Sequence, residues 1–186
     1  MDDLGLELKF AGGAPMLSET EAGVTVIEGY ASLFGLADQG GDIVAAGAYA
    51  ASLSRLAGRG DKVRMLWQHD PAQPIGIWDE IREDARGLWV RGRLLPEVAQ
   101  AREAAALVAA GAIDGLSIGY RTVRAERDSQ GRRVLTEVEL WEVSLVTFPM
   151  LREAKVGRKS DELDDDPADT DALAALLREA ADVLRG

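Results

Sequence analysis

Two long stretches in the second half of the chain limit its fold more than any other feature. Residues 116–126 and 133–147 are rich in Val, Leu, Ile and Thr, and Asp128-Ser129-Gln130-Gly131 lies between them. A short polar, glycine-containing segment between two β-prone runs is the signal of an antiparallel hairpin. A lone hairpin is marginal in water, so further strands or helices must cover its apolar face.

The rest of the chain supplies them. A short strand is expected at 6–10, and a β-prone run holding Val24, Val26 and Tyr30 ends near Phe34. Residues 63–68, 75–81 and 88–95 read as strands, the last alternating Leu88, Val90, Gly92 and Leu94 with Trp89, Arg91 and Arg93. Asp38-Gln39-Gly40-Gly41-Asp42 has the composition of a turn, and Pro71 and Pro74 predict a rigid loop. Tyr49, Leu53 and Leu56 are spaced for a short helix over 48–56, between Gly47 and Gly58. A second helix is expected from Pro96 to about Ala110, stopped by Gly111. About six or seven strands with two helices point to a mainly β fold, an antiparallel barrel or sandwich with peripheral helices.

Organisation follows composition. Residues 1–22 read as a loose arm and 23–156 as the globular domain. Residues 157–186 hold nine acids against four bases, almost half of the net charge of −11. Within them 157–171 is acidic and poor in apolar residues, which predicts a disordered linker. Over 172–186, Leu173, Leu176, Leu177, Ala180 and Leu184 fall on one face of an expected amphipathic helix.

The inventory removes whole classes of chemistry. The chain has no cysteine and one histidine, so a zinc site of the usual nitrogen and sulfur type cannot be assembled. No cofactor or metal is called for by any motif. The acidic balance argues against nucleic acid as a partner. No apolar run approaches the ~18–20 residues of a membrane span, and Met1-Asp2-Asp3-Leu4 is acidic where a signal peptide is basic. A soluble, cytoplasmic protein is expected.

Three residues stand out for chemistry. His69, in Leu66-Trp67-Gln68-His69-Asp70-Pro71, is the single imidazole, so any imidazole acid–base step runs through it. Ser117 lies in Gly115-Leu116-Ser117-Ile118-Gly119-Tyr120, where glycines two residues away on both sides allow another backbone to approach. By alternation Ser117 faces away from Ile118 and Tyr120. The segment continues as strand, so it is not the strand–turn–helix nucleophile elbow of α/β-hydrolases. Glu142 alternates onto one face with Leu140, Ser144 and Val146, an apolar setting in which a carboxylate requires a partner. Glu139 is the nearby alternative, on the opposite face by the same alternation. Together these would make a nucleophile, its base and a group that orients the base; the ordinary alternatives are a structural serine, an exposed histidine and a solvated carboxylate.

Four motifs occur in order: Gly40-Gly41-Asp42-Ile43-Val44 with Gly47-Ala48-Tyr49; Leu66-Trp67-Gln68-His69-Asp70 with Pro74-Ile75-Gly76; Gly115-Leu116-Ser117-Ile118-Gly119-Tyr120; and Glu142-Val143-Ser144-Leu145-Val146 with Pro149. The series, spanning residues 24–156, resembles the prohead (capsid-maturation) serine proteases of tailed bacteriophages and gene transfer agents, related to the herpesvirus assemblin clan. The resemblance implies an assemblin-like β-barrel with surrounding helices, His69 as base and Ser117 as nucleophile. Assemblins use a second histidine, which this chain lacks, so a carboxylate must serve as third member, and Glu142 is the choice. Arg121 is a candidate helper at the oxyanion. The implied substrate is the major capsid protein or its scaffolding segment inside an immature shell in the bacterial cytoplasm, with self-association and self-cleavage. The tail could then serve as a packaging segment. A catalytically idle assembly factor with the same fold, and an esterase, are the rival readings.

Overall fold

The computed structural model describes residues 7–10, 16–19, 24–38 and 40–147. All of them belong to one compact unit within residues 1–156. The acidic linker and amphipathic helix expected over 157–186 lie outside the described residues.

In chain order the elements are β1 (Glu7–Phe10), β2 (Met16–Glu19), β3 (Thr25–Leu33), β4 (Ile43–Val44), α1 (Ala50–Arg59), β5 (Arg64–Trp67), β6 (Asp70–Glu83), β7 (Gly87–Leu94), α2 (Ala99–Ala109), β8 (Gly115–Arg127) and β9 (Arg133–Val146). The strands form one sheet in the order β1-β8-β9-β5-β6-β7-β3-β2, with β4 also on β9. The sheet curls into a half-barrel. It is mainly β with two peripheral helices, as the strand pattern indicates. Most neighbours are antiparallel, but β9 pairs in parallel with both β4 and β5, making the sheet mixed. A parallel pair needs a long connection, and here the chain between β5 and β9 supplies it through β6, β7, α2 and β8.

The long hairpin is β8 and β9. Its turn is closed by the Gly131 N–H donating to the Asp128 carbonyl at 3.0 Å, with Gly131 at φ +79°. The Asp128 carboxylate accepts from the N–H groups of Gln130 and Arg132. Leu116, Ile118 and Tyr120 of β8 face Leu145, Val143 and Leu140 of β9, and all six are in the apolar core. Burial of side chains this size contributes about 1.5–3 kcal/mol each.

Several boundaries differ from the sequence expectation for local reasons. The first helix runs through Gly58 and ends at Gly60, whose left-handed φ of +71° lets the Asp61 N–H reach the Leu56 carbonyl. The second helix starts at Ala99, because Pro96 sits in a preceding turn closed by the Val98 N–H to the Leu95 carbonyl. The Pro71–Pro74 segment is strand, not loop. The β5–β6 register slips twice there, between Met65 and Trp67, so that prolines without an N–H fit in a bulged strand. The short strands β2 and β4 carry too few residues to show a period.

Candidate active site

The three residues singled out above come from three different strands or their ends. Ser117 is on β8, Glu142 is on β9, and His69 lies in the two-residue connection between β5 and β6. Ser117 Oγ is 2.6 Å from His69 Nε2, and His69 Nδ1 is 2.6 Å from Glu142 Oε1. Ser117 is fully buried, while the side chains of His69 and Glu142 are 13% and 5% exposed.

The placement of His69 has a backbone origin. Gln68 and His69 have φ of +53° and +62°, and Trp67 lies opposite Asp70 across the turn. Two consecutive left-handed residues make a tight primed hairpin turn, a conformation in which glycine or asparagine is the usual occupant. Each non-glycine residue there costs on the order of 1 kcal/mol and needs support from its surroundings. Strand β9 provides it. The Gln68 N–H donates to the Leu145 carbonyl at 2.9 Å, the His69 N–H to Ser144 Oγ at 3.3 Å, and the Gln68 side-chain amide to Thr147 Oγ1 at 2.6 Å. The strained turn is thereby strapped to the strand that carries Glu142.

Glu142 reaches the site by plain alternation with Ser144, in unbroken register with Ser117 to Gly119, and β9 is interrupted just before it. Gly119 lies opposite Glu142, but the next pair is Tyr120 with Leu140, so Trp141 is an extra residue on its strand. This bulge corrects the simple alternation. Glu142 shares its face with Ser117, Gly119 and Ser144, whereas Leu140 turns with Tyr120 into the core. It also brings Glu139 to the same face as Glu142, two places further along the sheet. There Glu139 pairs with Arg121 at 2.5 Å, leaving Glu142 as the carboxylate at the imidazole. Arg121 is held by that pair, and no hydrogen bond among the described residues takes it to Ser117. The displaced Trp141 is 41% exposed. Helix α1 and the turn before it stabilise the bulge: the Leu140 N–H donates to the buried Ser52 hydroxyl at 2.9 Å, and the Val138 N–H to the Ala48 carbonyl at 3.0 Å.

The chain belongs to the caudovirus prohead serine protease family, which it matches over residues 15–166. It is 34% identical over 134 residues to the prohead protease of Enterobacteria phage HK97, covering 70% of this chain and 58% of that protein. The chain thus spans somewhat over half the length of this relative. The fold is similar to the bacteriophage T4 capsid assembly protease gp21, with a TM-score of 0.61 at 16% identity over 76% of this chain and 96% of the other.

Two further residues complete the site. By sequence Ser144 is only a neighbour of Glu142 on its strand face. It is fully buried, its hydroxyl donates to Glu142 Oε2 at 2.5 Å, and Ser144 Oγ itself accepts the His69 N–H. Both oxygens of the buried carboxylate therefore have partners, as burial of a charge demands. The sequence predicts that Gly119 leaves room for another backbone. In the structure a Cβ there would lie 2.8 Å from Glu142 Cδ and 2.9 Å from Cγ, so the glycine makes room for the carboxylate itself. A simple alignment of the hairpin hides this pairing, because an unbroken ladder from Tyr120 and Leu140 would set Gly119 opposite Trp141. Among the described residues no cluster of three His, Cys, Asp or Glu could hold a metal, and no helix is long and apolar enough to cross a membrane.

Proposed function

We propose that the chain is a serine endopeptidase that cleaves capsid precursor protein, with Ser117 as nucleophile, His69 as base and Glu142 as the group that orients it. The observation that carries the reading is the continuous relay from Ser117 Oγ through His69 to Glu142 and on to Ser144, with contacts of 2.6, 2.6 and 2.5 Å. Membership of the prohead protease family supports the substrate class.

The chemistry is acyl transfer. Ser117 Oγ adds to a backbone carbonyl carbon while its proton passes to His69 Nε2. Glu142 Oε1 accepts the Nδ1–H hydrogen bond, holding the tautomer that leaves Nε2 free to take the proton and stabilising the imidazolium. As the tetrahedral intermediate collapses, the carbon–nitrogen bond breaks and His69 returns the proton to the leaving amine. Water then repeats the sequence on the acyl-enzyme and releases Ser117. The substrate assigned by this reading is the scaffolding segment of a major capsid protein, cut inside the immature shell in the bacterial cytoplasm, together with the protease itself.

The test is co-expression with the capsid precursor, followed by mass spectrometry of the assembled shells. Ser117→Ala is expected to leave precursor and protease uncut in shells that still assemble. A fluorophosphonate is expected to label Ser117 in the unaltered chain and not in His69→Ala. Normal precursor cleavage by Ser117→Ala overturns the assignment. Shell assembly that depends on the chain without any cleavage or labelling favours an idle assembly factor.

A further inference from the structure

The strand that carries Ser117 has its outer side occupied. Strand β1 lies along it, antiparallel, with Glu7 opposite Tyr120, Leu8 opposite Gly119, Lys9 opposite Ile118 and Phe10 opposite Ser117. Strand β1 is the end of the sheet order, and β8 is second. Without β1, the backbone N–H and C=O groups of β8 beside the serine would be an open edge.

An open edge is what an extended polypeptide uses when it binds by adding a strand, because main-chain hydrogen bonds supply affinity whatever the side chains. The direction of β1 matters as much as its position. It runs so that its last residue meets Ser117 and the three before it lie along 118–120. A substrate strand in the same place would set the residues on the amino side of its scissile bond along β8 and carry the following peptide bond past the nucleophile. The burial of Ser117 fits an occupied site: with no exposed surface, its hydroxyl is out of reach of a protein chain until a neighbour moves. At four residues, β1 is also among the shortest strands of the sheet and holds the edge by few hydrogen bonds.

We propose that β1 is a built-in occupant of the substrate edge, which an extended segment of the substrate protein displaces strand for strand. The inference rests on the reading of Ser117 as nucleophile. It makes the N-terminal arm a competitor in cis: activity toward an extended substrate is reduced by the fraction of molecules in which the arm is seated. It also sets the polarity of substrate binding, with the acyl side of the scissile bond opposite Ser117 to Tyr120.

The experiment uses the full chain carrying Leu8→Pro or Lys9→Pro. Successive residues of a strand aim their N–H groups to opposite sides, so one of the two variants removes a bond to β8. The readouts are the rate of fluorophosphonate labelling at Ser117 and kcat/KM for capsid precursor, with near-UV circular dichroism to report the fold. One variant is expected to raise both rates, on the order of tenfold. A synthetic peptide of residues 5–14, added in trans, is expected to reverse the gain competitively. Labelling and cleavage at equal or lower rates in both folded variants overturns the proposal alone. Absence of labelling at Ser117 in every chain, the unaltered one included, overturns the nucleophile assignment and the proposal with it.

Discussion

Gly119→Ala adds one methyl group to the strand opposite Glu142, and its consequence can be worked from the structure. The new Cβ would stand 2.8 Å from Glu142 Cδ and 2.9 Å from Cγ, with Oε1 nearer still. Carbon atoms sit comfortably at about 3.5–4.0 Å, so the carboxyl group must retreat by roughly 1 Å. It has little freedom to do so, because Oε1 is 2.6 Å from His69 Nδ1 and Oε2 is 2.5 Å from Ser144 Oγ. A shift of that size takes at least one contact beyond the ~3.2 Å limit of a useful hydrogen bond. Misplacing a catalytic group by about 1 Å costs on the order of 10²-fold in rate, or about 2.7 kcal/mol. Complete loss of an orienting carboxylate sets the ceiling, at about 10⁴-fold. The fold bears an overpacking cost of about 1–3 kcal/mol, which leaves a domain of this size mostly folded at room temperature. The measurement is kcat/KM for capsid precursor, alongside the fluorophosphonate labelling rate and a urea titration. Because the methyl acts through Glu142, Gly119→Ala combined with Glu142→Gln is expected to be little worse than Glu142→Gln alone. A folded Gly119→Ala protein that cleaves at the unaltered rate, or a double variant whose losses multiply, would refute the argument.

Ser144→Ala is expected to lower kcat about 10–100-fold with KM little changed, since it frees one oxygen of Glu142 and the His69 N–H together. Ser144→Thr keeps the hydroxyl, suits a strand, and is expected to recover most of the rate in the same steady-state assay. Ser52→Ala leaves the Leu140 N–H at the β9 bulge without its acceptor. A loss of about 1–3 kcal/mol is expected by urea unfolding, accompanied by reduced activity as the bulge relaxes. Asp84 concerns stability rather than catalysis. Burial would raise its carboxyl pKa, but hydrogen bonds from the Arg86 N–H, the Tyr30 hydroxyl, the Gly87 N–H and Arg82 outweigh that and hold it down to about 2 from an ordinary 3.8. A lowered folded-state pKa stabilises above the ordinary value and is lost as pH falls through the lowered one. Asp84→Asn is therefore expected to reduce Tm at neutral pH, with the gap to the unaltered protein closing as pH falls from 3.8 to about 2.

Legibility differed between parts of the molecule. The β8–β9 hairpin was evident because two long β-prone runs flank a turn with its own chemistry. Both helices were visible from apolar spacing and glycine stops, with ends displaced because Gly58 tolerates a helix and Pro96 a preceding turn. At Pro71 and Pro74 composition predicts a loop, since it cannot show the bulge that makes proline acceptable in a strand. Among the site residues, His69 stood out by being the one imidazole. Ser117 and Glu142 stood out only in the company of the surrounding motifs, because a serine or a glutamate in a strand is ordinary.

What this sequence determines by itself is a mainly β fold with two helices, a long hairpin, and a chemistry restricted to one imidazole and no thiol. Those follow from local periodicity and inventory, which require no knowledge of contacts. What only the tertiary structure decides is convergence. The distance between Ser117 and His69, residues 48 apart in the chain, depends on β9 lying antiparallel to one strand and parallel to another. Which way Leu140 and Glu139 face depends on a single extra residue, Trp141, beside which the Leu140 N–H is held by Ser52 of α1. A bulge inverts the face of every residue on one side of it, and its position is chosen by long-range hydrogen bonds that no local pattern records.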